Sequence, residues 1–576
     1  MWLSCGDGDC VPGAEDTAVI NGGTVHIDNT TIGTLIFNGG LITGSDLTIM
    51  ESLVWTGGTM QGVGATVVSP LAVGVIDSTG SVTLGFVSNA PAQRELHNFG
   101  FLHFVSGRIT CGSSDNKVQN FGVMQLDSIG STSPLTETIL FAGQLINHPG
   151  ALITRAAPGA GRLSTSNFQN QGEVWMFDGE LIVAGFNGPS GIDTGAYTLD
   201  QDATLTITGS RLLAQGFSVQ GEGRLRLAGI GANTTTIENG LELDIPWLEI
   251  QSGNFAANDT TRVLDRFDWS GGGIQGSGSL IIGEGAEALI SADGQVRLNG
   301  SRDLVNRGHA TVEDNTIGRN FGPGGVVRNE GHWSFVQTSG ATTGISGGVR
   351  FVNEPQGIVT VNAAGVVEVR GFDNAGAVTI ETGVLELRTD SSQTSGLYDI
   401  AENAVLELRQ HTNSVLESAQ FLGDGLLRVL DATLVISAQT TVDIARIDAA
   451  GGNAAILSNG ALFVTERLDW RAGSLGGSGG ITINEDAVVV LSGAGAKTFR
   501  NSLTFHNLGE MRLTEGRIAF SDTPQVFNAG TFEISTDGQV AVNTFTNLPT
   551  GSIVRRGAGE TDWRRIFNNQ GIVTVE

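Results

Sequence analysis

LHNFGFLHF, residues 96–104, sets an Asn and a Gly between two runs of alternating apolar residues. The phrase returns as VQNFGVMQL (118–126), LINHPGALI (145–153) and FQNQGEVWM (168–176). A second set reads LVNRGHATV (304–312), VRNEGHWSF (327–335), FVNEPQGIVTV (351–361) and FDNAGAVTI (372–380). A third reads FHNLGEMRL (505–513), VFNAGTFEI (526–534), FTNLPTGSIV (545–554) and FNNQGIVTV (567–575). The recurring Asn are Asn98, Asn120, Asn147 and Asn170, then Asn306, Asn329, Asn353 and Asn374, then Asn507, Asn528, Asn547 and Asn569. The third member of every set carries a Pro before its Gly, at Pro149, Pro355 and Pro549. A shared irregularity of that kind marks tandem duplication.

A second motif keeps the longer period. WTGGTMQGVG contains Trp55, Gly58, Gly62 and Gly64; WSGGGIQGSG contains Trp269, Gly272, Gly276 and Gly278; WRAGSLGGSG contains Trp470, Gly473, Gly477 and Gly479. The two tyrosines of the chain, Tyr197 and Tyr398, open matching phrases, YTLDQDATLTI and YDIAENAVLEL. The glycine clusters superficially suggest a phosphate loop. A phosphate loop opens a helix and occurs once per binding unit, whereas TVV, SLII and ITI follow here, which are strands. The motif is read as a turn that marks the phase of the repeat.

A period near 22 residues, alternating apolar residues and Asn/Gly turns predict an all-β, right-handed parallel β-helix, one repeat per coil. Asn tolerates left-handed backbone angles, and its amide can pair with the amide stacked in the next coil, so the recurring Asn predict ladders at one corner. The organisation expected is an N-terminal cap at 1–16, super-repeats at 17–236 and 237–437, and an incomplete third at 438–576. The third stops where the first two continue, which implies a piece of a longer repetitive polypeptide.

Composition agrees with this. Gly accounts for 84 of 576 residues against only 12 Pro, and 40% of residues are apolar, enough for a continuous core. The formal net charge is −28, with Lys117 and Lys497 the only lysines, which argues against nucleic acid as a partner. Acidic surface charge keeps a long β-rich surface soluble. Residues 1–20 lack a signal-peptide pattern, and no apolar run is long enough for a membrane-spanning helix, so no direct membrane insertion is expected. Cys5 and Cys10 are placed for a disulfide, leaving Cys111 over. Asp7 and Asp9 between them offer oxygens to calcium, but no further ligand pattern supports a cofactor.

Two features carry a family resemblance. VPGAEDTAVINGGTVHID (11–28), with Trp2 upstream and Pro12, Asp16, Ala18 and Ile20 within it, resembles the opening segment of bacterial secreted β-solenoid proteins. The Trp-Gly and Asn-x-Gly phrases are similar to those of autotransporter and adhesin passenger regions, which share the pectin-lyase-like β-helix fold. The resemblance implies an extracellular, cell-surface location and glycans, host or neighbouring surface molecules, or copies of the chain itself as partners.

The expected function is a non-catalytic structural and adhesive rod of a bacterial surface or matrix protein. A polysaccharide lyase or glycoside hydrolase on the same fold is the runner-up, and a self-assembling filament subunit the third reading. No catalytic residues are assigned. Asp265, Arg266 and Asp268, and Arg467 and Asp469, partly recur between copies and read as solvent-facing charges. His309 and His332 lie one coil apart and would stack; a transition metal is conceivable, and a neutral surface pair is the plainer reading. Trp175 and Trp333 fall on strands with their facing undecided, and Trp563 in TDWRR reads as an exposed loop platform for sugars.

Overall fold

The computed structural model describes residues 12–85, 93–127, 138–185, 191–229, 231–292, 294–320, 322–340, 342–388, 392–557 and 559–576. Trp2, Cys5, Asp7, Asp9 and Cys10 lie outside them, and with them the disulfide and calcium expectations. At the start of the described chain the Asp16 carboxylate accepts the Gly13 N–H at 2.7 Å, closing a tight turn before the first strand, Thr17–Ile20.

Every strand ladder among the described residues is parallel, and each strand pairs with its counterpart about 21 residues further on. No helix occurs among them. This is a parallel β-solenoid. The chain forms two compact units, Met1–Ala286 and Glu287–Glu576, and the division falls inside the second super-repeat.

The alternation read in the sequence is the alternation of burial. In the first unit Leu96, Val118, Leu145 and Phe168 lie in register on successive coils and are all buried. Two residues on, Asn98, Asn120, Asn147 and Asn170 fill the same inward column. Side chains of a strand point alternately to its two faces, so apolar residues at every second position build the core and the residues between them meet solvent.

The Pro insertions have a local cause. Pro149, Pro355 and Pro549 each take the second position of a β-turn, closed by Ala151 N–H to His148 O, Gly357 N–H to Glu354 O, and Gly551 N–H to Leu548 O. The coil therefore absorbs its extra residue in the turn without disturbing the flanking strands.

The Trp motif is a corner at which stacked backbones nearly touch. Trp55, Trp269 and Trp470 are fully buried. The indole N–H groups of Trp55 and Trp269 donate to the carbonyls of Gly57 and Gly271 at 3.1 and 3.0 Å. Gly62, Gly276 and Gly477 have φ of 100°, 117° and 114°. A Cβ there would stand 2.5, 1.9 and 2.0 Å from the carbonyl oxygens of Gly44, Ala257 and Ser458 in the preceding coil. Only glycine combines that left-handed turn with that approach.

Candidate functional site

The Asn ladders are continuous. Nδ2 of Asn98 donates to Asn120, Asn120 to Asn147, and Asn147 to Asn170, at 2.7–2.8 Å. The second set, Asn306 to Asn374, and the third, Asn507 to Asn569, repeat this at the same distances. Each donor amide also reaches a strand carbonyl of the next coil, as Asn98 does to Val123 and Asn507 to Thr531. Eleven of the twelve are buried and Asn569 is exposed, so the ladder amides are spent on bonds between coils.

The outward positions carry the chemistry. In the second unit GVVEVR (365–370), GVLELR (383–388) and AVLELR (404–409) place a Glu and an Arg two residues apart on three successive coils. Glu368, Glu386 and Glu407 are in register with one another and then with Arg428 and Asp448. The three central guanidiniums, of Arg388, Arg409 and Arg428, each bridge acids of two coils. Arg370 binds Glu368 at 2.5 Å; Arg388 binds both Glu368 and Glu386; Arg409 joins Glu386 to Glu407. Arg428 continues from Glu407 to Asp448, 3.1 Å from each, and Arg471 closes the series on Asp448. The carboxylates of Glu386, Glu407 and Asp448 are buried beneath guanidiniums that remain partly exposed. Burial alone would lower the Arg428 pKa, but hydrogen bonds to Glu407 and Asp448 outweigh it and hold it above its ordinary value. The E-x-R triplet is visible in the sequence as a motif at coil spacing; searching for the Asn phrase passes over it because it lies on a different face.

Two adjoining grooves of about 720 and 670 Å³ open beside the start of this series. They share Ser339, Thr342 and Glu368. One adds Gln295, Asp314, Thr316, Ser346 and Arg370, and the other Gln337, Thr338, Glu386 and Arg388. Asp314 has φ 46° and accepts hydrogen bonds from Thr338 Oγ1 at 2.7 Å, Thr338 N at 2.9 Å and Ser339 N at 3.2 Å. Those bonds, the Thr338 hydroxyl first, hold its carboxyl below the usual range. Hydroxyl, amide, carboxylate and guanidinium groups therefore share the groove walls about evenly with apolar surface from Ala292, Ala364 and Val366.

The first unit has a shorter counterpart. Arg226 bridges Glu180 and Glu249 at 3.2 and 2.9 Å, and Arg224 joins Glu249 at 2.8 Å. Trp247, which sequence reading passed over, lies between Arg224 and Arg266, with guanidinium carbons 4.1 and 4.8 Å from its ring centre.

The chain matches no protein-family model, no curated protein and no solved structure. Fold and site therefore rest on the geometry above.

The remaining expected positions fall as follows. Arg266 pairs with Asp268 at 2.9 Å and Arg467 with Asp469 at 2.8 Å, each within one strand. Trp333 is fully buried, packed on Phe335 and Phe351. Trp175 is 37% exposed, stacked on Phe177 at 4.7 Å, and its indole N–H reaches Asp200 at 3.3 Å. The loop reading of Trp563 is corrected. It lies in the strand Thr561–Asn569, half-buried, with ring centres of Phe567 and Phe545 at 4.4 and 5.0 Å. The arginine pair Arg564–Arg565 interrupts the alternation, with Arg565 at φ 91° where the register shifts, so the strand signal of the other coils is missing here. Cys111 is buried and free, and burial pushes its thiol up to about 12, which keeps it protonated and inert. No helix among the described residues is long and apolar enough to cross a membrane.

Proposed function

We propose that this chain is an extracellular structural and adhesive solenoid of a bacterial surface or matrix protein, binding glycans without catalysis. The observation that carries the reading is the paired groove beside the Glu–Arg series. Its Ser, Thr, Gln, Asp and Arg groups suit a ligand with many hydroxyls; Glu368 and Glu386 are already engaged by guanidiniums, and Asp314 by Thr338 and Ser339. Salt bridges already occupy oxygens of Glu368 and Glu386 that a general acid or base would have to offer to a ligand. The groove thus favours hydrogen bonding over proton transfer.

A second reading keeps one specific support. Glu368 and Glu386 face the groove in register on adjacent parallel strands, so that two carboxyl groups line one groove, as the acid pair of a glycosidase does. The test is a glycan array followed by equilibrium binding of the best ligand, with product analysis on the same sample. The adhesive reading expects saturable binding that Arg370→Ala weakens by about tenfold or more, with the glycan recovered intact. Release of new reducing ends or unsaturated ends, abolished by Glu386→Gln, would replace it with the hydrolase or lyase reading.

A further inference from the structure

We propose that His309 and His332 form a binding site for a borderline-soft divalent metal ion of the zinc, nickel and copper(II) class, on the outer face of the second unit. The two residues are exact register partners on neighbouring parallel strands, His309–Glu313 and His332–Gln337. His309 is exposed and His332 half-buried, so both imidazoles are reachable from solvent.

The rings are not stacked face to face, as three other outward ring pairs across coils are. Phe99 on Phe121, Phe121 on His148 and His506 on Phe527 lie 4.6, 4.0 and 5.1 Å apart and tilt by only 6°, 7° and 14°. His309 and His332 stand 5.7 Å apart with their planes opened to 35°. A metal ion ~2.1 Å from one nitrogen of each ring lies about 3.2 Å from each ring centre, so tetrahedral ligation sets the centres about 5.2 Å apart. The observed spacing of the ring centres is therefore within about half an ångström of a chelating one.

The surroundings are built to hold that arrangement. Nδ2 of Asn306 donates both to Asn329 and to the backbone carbonyl of His332, at 2.8 Å each, so the buried ladder fixes the strand that presents the ring. Thr360 Oγ1 lies 3.2 Å from Nε2 of His332 and orients it, as outer-shell partners of ligating histidines do, leaving Nδ1 for the ion. Glu287 is in register with His309 one coil earlier and adds negative potential. The nearby Arg307 is neutralised by Glu330 at 2.9 Å. Among the described residues no three His, Cys, Asp or Glu groups converge, so water completes the coordination shell. The equivalent positions are Phe101 and Val123 in the first set and Glu510 and Thr531 in the third, so the site belongs to one repeat only.

The test is calorimetric titration of the tag-free chain with zinc chloride, paired with electron paramagnetic resonance of added copper(II). One equivalent is expected, with nitrogen hyperfine coupling. Affinity should fall at least about tenfold in His309→Ala and in His332→Ala and vanish in the double variant, while His97→Ala/His148→Ala leaves it unchanged. A second measurement needs no variant: zinc should protect His309 and His332 of the wild-type chain from diethyl pyrocarbonate, read by mass spectrometry. Absence of a stoichiometric site, its survival in the double variant, or modification of both histidines at saturating zinc overturns the proposal.

Discussion

Asn120 accepts from Asn98 and donates to Asn147 and to the Leu152 carbonyl, so Asn120→Ala removes three hydrogen bonds inside the core. The partners stay buried with nothing to replace the amide. The expected loss is about 2–5 kcal/mol, read by denaturant unfolding and by faster hydrogen exchange in the adjoining coils. Thr154→Ala, on the outward side of Leu152–Arg155, should stay within about 0.5 kcal/mol. Glu249 gives a pH signature at the same scale. Burial alone would raise its pKa, but Arg226 and Arg224 outweigh burial and lower it. Its contribution is therefore complete above the unfolded carboxyl value, about 4.3, and is lost as pH falls through the depressed folded value. Acid titration of stability should show that loss in the wild type, and Glu249→Gln should flatten it.

A coil is specified twice, by its inward column and by its corners, and the two were unequally legible. The Asn phrase and the apolar alternation could be read because each residue's environment is set by its own coil and repeated in the next. Gly276 was legible as a turn for the same reason, although its contact with the Ala257 carbonyl was not. Gly276→Ala meets both a forbidden φ and that oxygen, so a loss of at least about 2–3 kcal/mol is expected. Gly452→Ala, where a Cβ meets nothing within 4 Å, should be nearly neutral in the same thermal melts. The groove was illegible because it gathers residues of several coils, among them Asp314, Ser339 and Gly365, that share no motif. Trp333 could not be assigned a face because outward and inward positions on that strand both carry rings, His332 and Trp333.

At the scale of the molecule, 59 acidic residues meet 31 basic ones, of which only two are lysines, and the net charge is −28. The two lysines behave differently. Lys117 is partly exposed and lies 3.4 Å from Glu95. Lys497 is fully buried, its ammonium donating to the carbonyls of Gly493, Gly495 and Glu515, and burial lowers its pKa. An amine-reactive ester should therefore label Lys117 in the folded chain and Lys497 only after unfolding, as peptide mapping would show. Stacked coils that contact only their neighbours also make unfolding a graded process, so one midpoint cannot describe it. The Asn ladders add a direction to that stack. Every rung donates toward the next coil in the sequence, and Oδ1 of Asn98, Asn306 and Asn507 has no hydrogen-bond partner. Val68 and Ile483 occupy the column one coil before Asn98 and Asn507. Each ladder is thus a short row of aligned dipoles with an open acceptor at one end, so the interior carries a built-in electrical polarity along the direction in which coils are added.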